Sequence, residues 1–182
     1  MVGFSNAKIN IGLNILEKRT DGYHNISSVF YPVSWCDVLE VLPAAHFSLH
    51  TSGLAIPGNL EQNLIYRAWN ILKPRSKAVS IHLHKILPMG AGIGGGSSNG
   101  AFALKLINSV LDLGHTTADL QEMAAELGSD CPFFIENQPV LCLDRGTRFE
   151  PSPLGLKGKY IVMVYPGIHV STAEAYGGIQ PH

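Results

Sequence analysis

The chain has 182 residues, 46% of them hydrophobic and 15% charged, which is enough for one full domain and part of another around a packed core. A formal net charge of −1 offers no basic field for nucleic acid and no acidic tail. No apolar run is long enough to span a membrane, and no basic segment leads into an apolar one at the start, so a cytoplasmic protein without a signal or transit peptide is expected.

Ile9, Ile11, Leu13 and Ile15 alternate with Lys8, Asn10, Gly12 and Asn14, the period of a half-buried strand. The polar side of that strand reads either as a solvated sheet face or as a set of working side chains. Residues 20–24 form a turn with Asp21-Gly22 at its tip. Strand-like runs follow at 26–33, 37–42 and 47–51. Residues 61–72 have helical spacing and stop before Pro74, and 79–86 is again strand-like. His82 and His84, two apart on this strand, could share a face, but no third ligand lies near them in sequence and no metal site is assigned.

Immediately after that strand, Gly90, Gly92, Gly94, Gly95 and Gly96 precede Ser97 and Ser98, and a helix is expected from about Ser97 to Leu113. Glycines let backbone approach a ligand closely, and a helix start presents unpaired N–H groups and the positive end of its dipole. Together they make a phosphate receptor. A P-loop is excluded, because no lysine occurs between Leu87 and Leu104. Gly90, Gly92 and Gly95 fit the dinucleotide fingerprint, but a second helix, about 118–127, follows where that fold needs a strand.

Gly128-Ser129-Asp130-Cys131-Pro132 comes next. Asp130 could cap a helical turn starting near Pro132, or do chemistry. Residues 140–143 and 147–150 flank a hairpin signal, Asp144-Arg145-Gly146. Residues 160–165 read as a buried strand, and Ser171 to Glu174 as a capping box opening a helix that carries Tyr176. Cys36, Cys131 and Cys142 are odd in number and lack metal spacing, so they read as buried free thiols in a reducing compartment. Strands early and helices grouped later argue an α+β fold.

Residues 88–98, from Pro88 through Ser98, resemble the second motif of the GHMP kinases (galactokinase, homoserine, mevalonate and phosphomevalonate kinases). Ala7-Lys8-Ile9-Asn10, Asp21-Gly22-Tyr23-His24 and Gly128 to Phe134 resemble one branch of that family, which phosphorylates a cytidyl diphosphate derivative of methylerythritol on the non-mevalonate route to isoprenoids. Ile93, Asn99 and Gly100 depart mildly from the branch's usual Leu and Asp-Ala. The resemblance implies the ribosomal protein S5 domain 2-like fold of the GHMP N-terminal domain over residues 1–153. Residues 154–182 would begin a C-terminal α+β domain that continues in the family.

The same resemblance implies roles. Asp130 matches the catalytic aspartate that takes the hydroxyl proton, and Lys8 matches its lysine partner. An ammonium beside a carboxylate favours the charged carboxylate. Pro88, Gly90, Gly92, Gly94, Gly95, Gly96, Ser97 and Ser98 would hold the phosphates of ATP, with Asn63 and Lys85 near the adenosine and Mg²⁺ accompanying the nucleotide. Tyr23 and Tyr176 would sandwich the cytosine, His24 would meet its edge, and Asn10 and Phe30 would line the substrate pocket. From the residues alone, Tyr23 and Phe30 read as core aromatics and Asn63 as a helix-start residue. The expected partners are the cytidyl substrate and ATP, with no nucleic acid or membrane, in a monomer or weak homodimer of bacterial type. The alternatives are another small-molecule GHMP kinase, or a non-catalytic nucleotide sensor on the same fold.

Overall fold

Two long antiparallel strands carry the architecture. β1 (Val2–Lys18) and β2 (His24–Ala44) run side by side from Val2 opposite Glu40 to Lys18 opposite His24. The computed structural model describes residues 1–22, 24–72, 74 and 77–168. The two runs expected at 26–33 and 37–42 are a single strand. A register shift carries the pairing from Asn6 opposite Cys36 to Ala7 opposite Val33, so Ser34 and Trp35 form a bulge rather than a turn.

The other edge of β2 is shared. β4 (Ala78–Lys85) pairs with its C-terminal part, Val38 to Ala44, and β5 (Val140–Asp144) with its N-terminal part, Ile26 to Phe30. β3 (Ser48–Gly53) lies parallel to β4, and β6 (Arg148–Pro151) pairs antiparallel with β5. The order is β3-β4-β2-β5-β6, with β1 on the far edge of β2. Between β4 and β5 the edge of β2 stands open, and the glycine loop leaves the sheet there.

Four helices interleave with the later strands: α1 (Leu64–Leu72) precedes β4, while α2 (Gly95–Leu111), α3 (Thr117–Leu127) and α4 (Phe133–Glu136) lie between β4 and β5. Val79, Ile81 and Leu83 of β4 turn inward with Leu39 and Val41 of β2, and meet Ala68, Leu104, Ile107 and Leu120 in one core. Each large aliphatic side chain so buried contributes about 1.5–3 kcal/mol. α1 and α2 pack so closely that a Cβ on Gly100 would stand 3.0 Å from Leu64 Cβ. His82 and His84 share the opposite, exposed face, where the His82 ring lies 4.9 Å from that of His50.

Three boundaries differ from the sequence reading. Glu61 belongs to a 3-10 turn, Leu60–Gln62, closed by a reciprocal Asn59–Gln62 capping box, so α1 starts only at Leu64. α2 begins at Gly95, because two of the loop's glycines already take helical backbone. Residues 160–165 are not a buried strand: they pair with no strand among the described residues, and Tyr160 is fully exposed. An apolar run forms a strand only where an edge is available to it. The helix expected from Ser171, with Tyr176, lies outside the described residues.

Candidate active site

Lys8 on β1 has only 5% of its surface exposed, so the solvated-face reading fails at this position, while Gly12 and Asn14 further along the strand are exposed. Its ammonium donates to Asn10 Oδ1 at 2.6 Å, lies 4.0 Å from the centre of the Phe30 ring, and faces Asp130 Oδ2 at 3.4 Å. Asn10 in turn donates to Ser28 Oγ, and Ser28 donates to the Gly12 carbonyl. An aromatic face and an amide oxygen thus hold the cation in one place.

Asp130 lies in the turn between α3 and α4. The capping role open to it from sequence is not its role here, since α4 is capped at Pro132 without any side-chain hydrogen bond. Its carboxylate is about a third exposed and opens on a cavity of about 280 Å³ rimmed by the glycine loop, residues 88–97. The neighbouring Cys131 is fully buried. Burial pushes its thiol up to about 11, opposed by a hydrogen bond with Ser97 and assisted by the Asp130 charge.

The loop is held to β1 by the Lys8 N–H, which donates to the Ile93 carbonyl at 2.9 Å. Gly90, Gly92 and Gly94 all have φ near +70°. Gly94 needs to be glycine twice over: a Cβ there would also meet Phe134 Cζ at 2.9 Å and Lys8 Cγ at 3.1 Å. At Gly96, by contrast, a Cβ would meet nothing within 4 Å, which leaves the first turn of α2 open to the cavity. Pro88 and Ser97 line that cavity. Ser98 does not: it is fully buried, and its hydroxyl has no partner among the described residues.

Two further expectations need correction. Phe30 is 2% exposed and stacks edge-on against Phe133 at 5.6 Å, so it is a core ring beneath Lys8 rather than a pocket wall. Lys85 is 1% exposed and its ammonium is paired with Asp37 at 2.5 Å, so its side chain lies under the loop and outside the cavity. The Asn63 side chain accepts from the Ile65 N–H at 2.9 Å, the helix-start role that its residue type suggested.

His24 opens β2 opposite Lys18. Beside it, Asp21 pairs with Arg19 at 3.1 Å and with Arg145 at 3.7 Å, joining the β1–β2 tip to the β5–β6 turn. Tyr23 and Tyr176 lie outside the described residues.

Sequence reading missed the groups that hold these pieces together. Asn6 and Asn137 exchange amide hydrogen bonds at 2.7 and 3.2 Å, linking β1 just before Lys8 to the residue that ends α4. Asp37 lies beneath the loop. Neither position has a local signal, because each acts through a partner that only the sheet register brings close.

A sheet with helices on one face, and a glycine loop feeding the N-terminus of α2, is the arrangement of the GHMP kinases. The profile described as GHMP kinases N terminal domain matches residues 63–138. The chain is 47% identical over 185 residues to the 4-diphosphocytidyl-2-C-methyl-D-erythritol kinase of Cytophaga hutchinsonii, covering 100% of itself and 68% of that protein. To the enzyme of that name from Bacteroides thetaiotaomicron it is 47% identical over 188 residues, covering 100% and 69%. A crystal structure of 4-(cytidine 5'-diphospho)-2C-methyl-D-erythritol kinase superposes with a TM-score of 0.80 at 30% identity, over 100% of this chain and 65% of that one. The chain belongs to the 4-diphosphocytidyl-2-C-methyl-D-erythritol kinase family. It spans about two thirds of the length of these relatives.

Proposed function

We propose that the protein to which this chain belongs transfers the γ-phosphoryl group of ATP to the C2 hydroxyl of 4-diphosphocytidyl-2-C-methyl-D-erythritol, in the non-mevalonate synthesis of isoprenoid precursors. The observation that carries this reading is the Lys8–Asp130 pair, 3.4 Å apart, facing the cavity of the glycine loop.

An alcohol is a weak nucleophile, so the site must take its proton and hold charge while the phosphoryl group moves. Asp130, open to the cavity, accepts the hydroxyl proton. Lys8, fixed by Asn10 and Phe30, sets a positive charge beside that carboxylate and the incoming phosphoryl oxygens. Phosphoryl transfer has a loose transition state, so positioning and electrostatics supply most of the rate. A non-catalytic sensor has no use for a base held this way.

The open first turn of α2, with Gly96 free of neighbours, suits the close approach of a polyphosphate to backbone N–H groups. The hard oxygen donors on the cavity, the Asp130 carboxylate and the Ser97 hydroxyl, suit Mg²⁺ carried in by the nucleotide. Among the described residues no group of three metal-ligating side chains forms a separate cage. Ser97 would help to hold the ion, which would supply charge neutralisation on the phosphates.

At the cytidyl end we assign Tyr23 and Tyr176 as stacking partners and His24 as an edge partner. Stacking contributes about 1–3 kcal/mol per base. We place the N-terminal nucleotide domain at residues 1–153 and the start of the second domain at 154–182. A cytoplasmic location and a monomer or weak homodimer go with this reading.

The test is ATP consumption by the full-length protein with the cytidyl substrate, beside mevalonate and homoserine. Turnover with the cytidyl substrate alone supports the proposal. Turnover with mevalonate or homoserine instead assigns another GHMP kinase activity. ATP binding without any turnover moves the protein to the sensor class.

A further inference from the structure

Beneath the glycine loop lies a carboxylate that the phosphoryl-transfer reading does not use. Asp37, on β2, is fully buried, and four donors converge on it. Its Oδ2 accepts from Lys85 Nζ at 2.5 Å and from Asn99 Nδ2 at 2.9 Å. Its Oδ1 accepts the backbone N–H groups of Ile86 at 2.7 Å and Leu87 at 2.8 Å. Asn99 also donates to Ser5 Oγ on β1 at 2.8 Å.

The position of Asp37 explains this convergence. β4 pairs with β2 as far as His84 opposite Val38. One residue further on β4 leaves the sheet, and the N–H groups of Ile86 and Leu87 lose any strand partner. Buried N–H groups left unpaired are costly. Asp37 stands where the pairing stops and takes both of them. Through Asn99 it also grips α2, the element into which the loop runs. Its partner Lys85 reaches the same helix, since a Cβ on Gly95 would lie 3.1 Å from Lys85 Nζ.

We infer that Asp37 is a positioning residue for phosphate binding: it clamps the start of the glycine loop at Ile86–Leu87 and its far end at Asn99, and so fixes the spacing of the backbone N–H groups that face the triphosphate. A buried ion pair is a poor device for stability alone, because well-packed apolar side chains do as well or better. An apolar pair, however, accepts no hydrogen bonds from the loop. The inference rests on the reading of this loop as the ATP phosphate site.

The test is steady-state kinetics on the full-length protein, varying ATP and the cytidyl substrate separately, for wild type, Asp37→Asn and Asn99→Ala. A non-hydrolysable ATP analogue is titrated against each in parallel. Asp37→Asn keeps the shape and loses one acceptor oxygen. It raises KM for ATP and Kd for the analogue by about tenfold or more, while KM for the cytidyl substrate stays within about twofold. Asn99→Ala leaves the Asp37–Lys85 pair in place, so it serves if Asp37→Asn does not fold; it moves the ATP constants in the same direction by a smaller factor. Variants that fold with a lowered melting temperature but unchanged ATP constants overturn the inference, as does an equal rise in both KM values. A wild-type protein that binds no ATP analogue defeats instead the reading of the loop on which the inference stands.

Discussion

Lys8 Nζ and Asp130 Oδ2 face each other at 3.4 Å, and the backbone of the same lysine is bonded to the glycine loop through the Ile93 carbonyl. The ammonium, the carboxylate and the glycine loop are therefore tied to one another through β1. Replacing Lys8 with Met keeps the packing on Phe30 and removes the charge. We predict a fall in kcat of about 10²–10³, the usual consequence of losing one electrostatic group aimed at the transition state. Asn10→Ala, which frees the ammonium without removing it, lowers kcat by a smaller factor. Phosphoryl-transfer rates at saturating substrates check both.

Gly94 and Gly92 separate backbone strain from crowding. Both have positive φ, 71° and 72°. Only at Gly94 does a Cβ meet neighbours, Phe134 Cζ and Lys8 Cγ. Gly92→Ala carries the left-handed penalty of roughly 1–2 kcal/mol. Gly94→Ala adds overpacking, typically about 1–3 kcal/mol. Urea unfolding should rank Gly94→Ala below Gly92→Ala in stability; equal midpoints would remove the close approach to Phe134.

The Asn6–Asn137 amide pair ties the strand before Lys8 to the end of α4. Asn137 has φ +58°, which glycine tolerates and alanine does not. Asn137→Gly should therefore be less destabilising than Asn137→Ala. A double-mutant cycle of Asn6→Ala with Asn137→Ala should give a coupling of about 0.5–3 kcal/mol. Additive effects within error would show the two amides to be independent.

Two buried thiols should make stability fall in alkali. Burial raises Cys131 from 9.0 to about 11 and Cys142 from 9.0 to about 12. The unfolded chain ionises first, so the stability these groups contribute is present below about pH 9 and is lost as pH rises towards 11 and 12. Denaturation midpoints measured from pH 8 upward should decline, and the Cys131→Ala/Cys142→Ala variant should decline less steeply.

The glycine loop was legible in the sequence because its chemistry is local: backbone freedom and a helix start are both written in consecutive residues. Lys8 and Asp130 were legible only through family resemblance, since one belongs to β1 and the other to the turn before α4. Asp37 was not legible at all. A single acid inside an apolar strand gains meaning only when the register of β2 against β4 sets it beside Lys85 and the departing backbone. Family resemblance puts Phe30 at the substrate pocket and Lys85 near the adenosine, whereas packing buries both, and for Phe30 the residue type alone pointed to the core. Residues 160–165 carry a strand-like composition, but no strand among the described residues pairs with them.

The central claim is that Asp130 is the base of a phosphoryl transfer to the cytidyl substrate. The most direct test compares full-length wild type with Asp130→Asn for γ-phosphoryl transfer from ATP to 4-diphosphocytidyl-2-C-methyl-D-erythritol, with binding of a non-hydrolysable ATP analogue measured alongside. The account predicts a rate lower by about 10²–10⁴ with analogue binding largely intact. A variant that keeps more than about a tenth of the wild-type rate contradicts it, because general base catalysis contributes more than that.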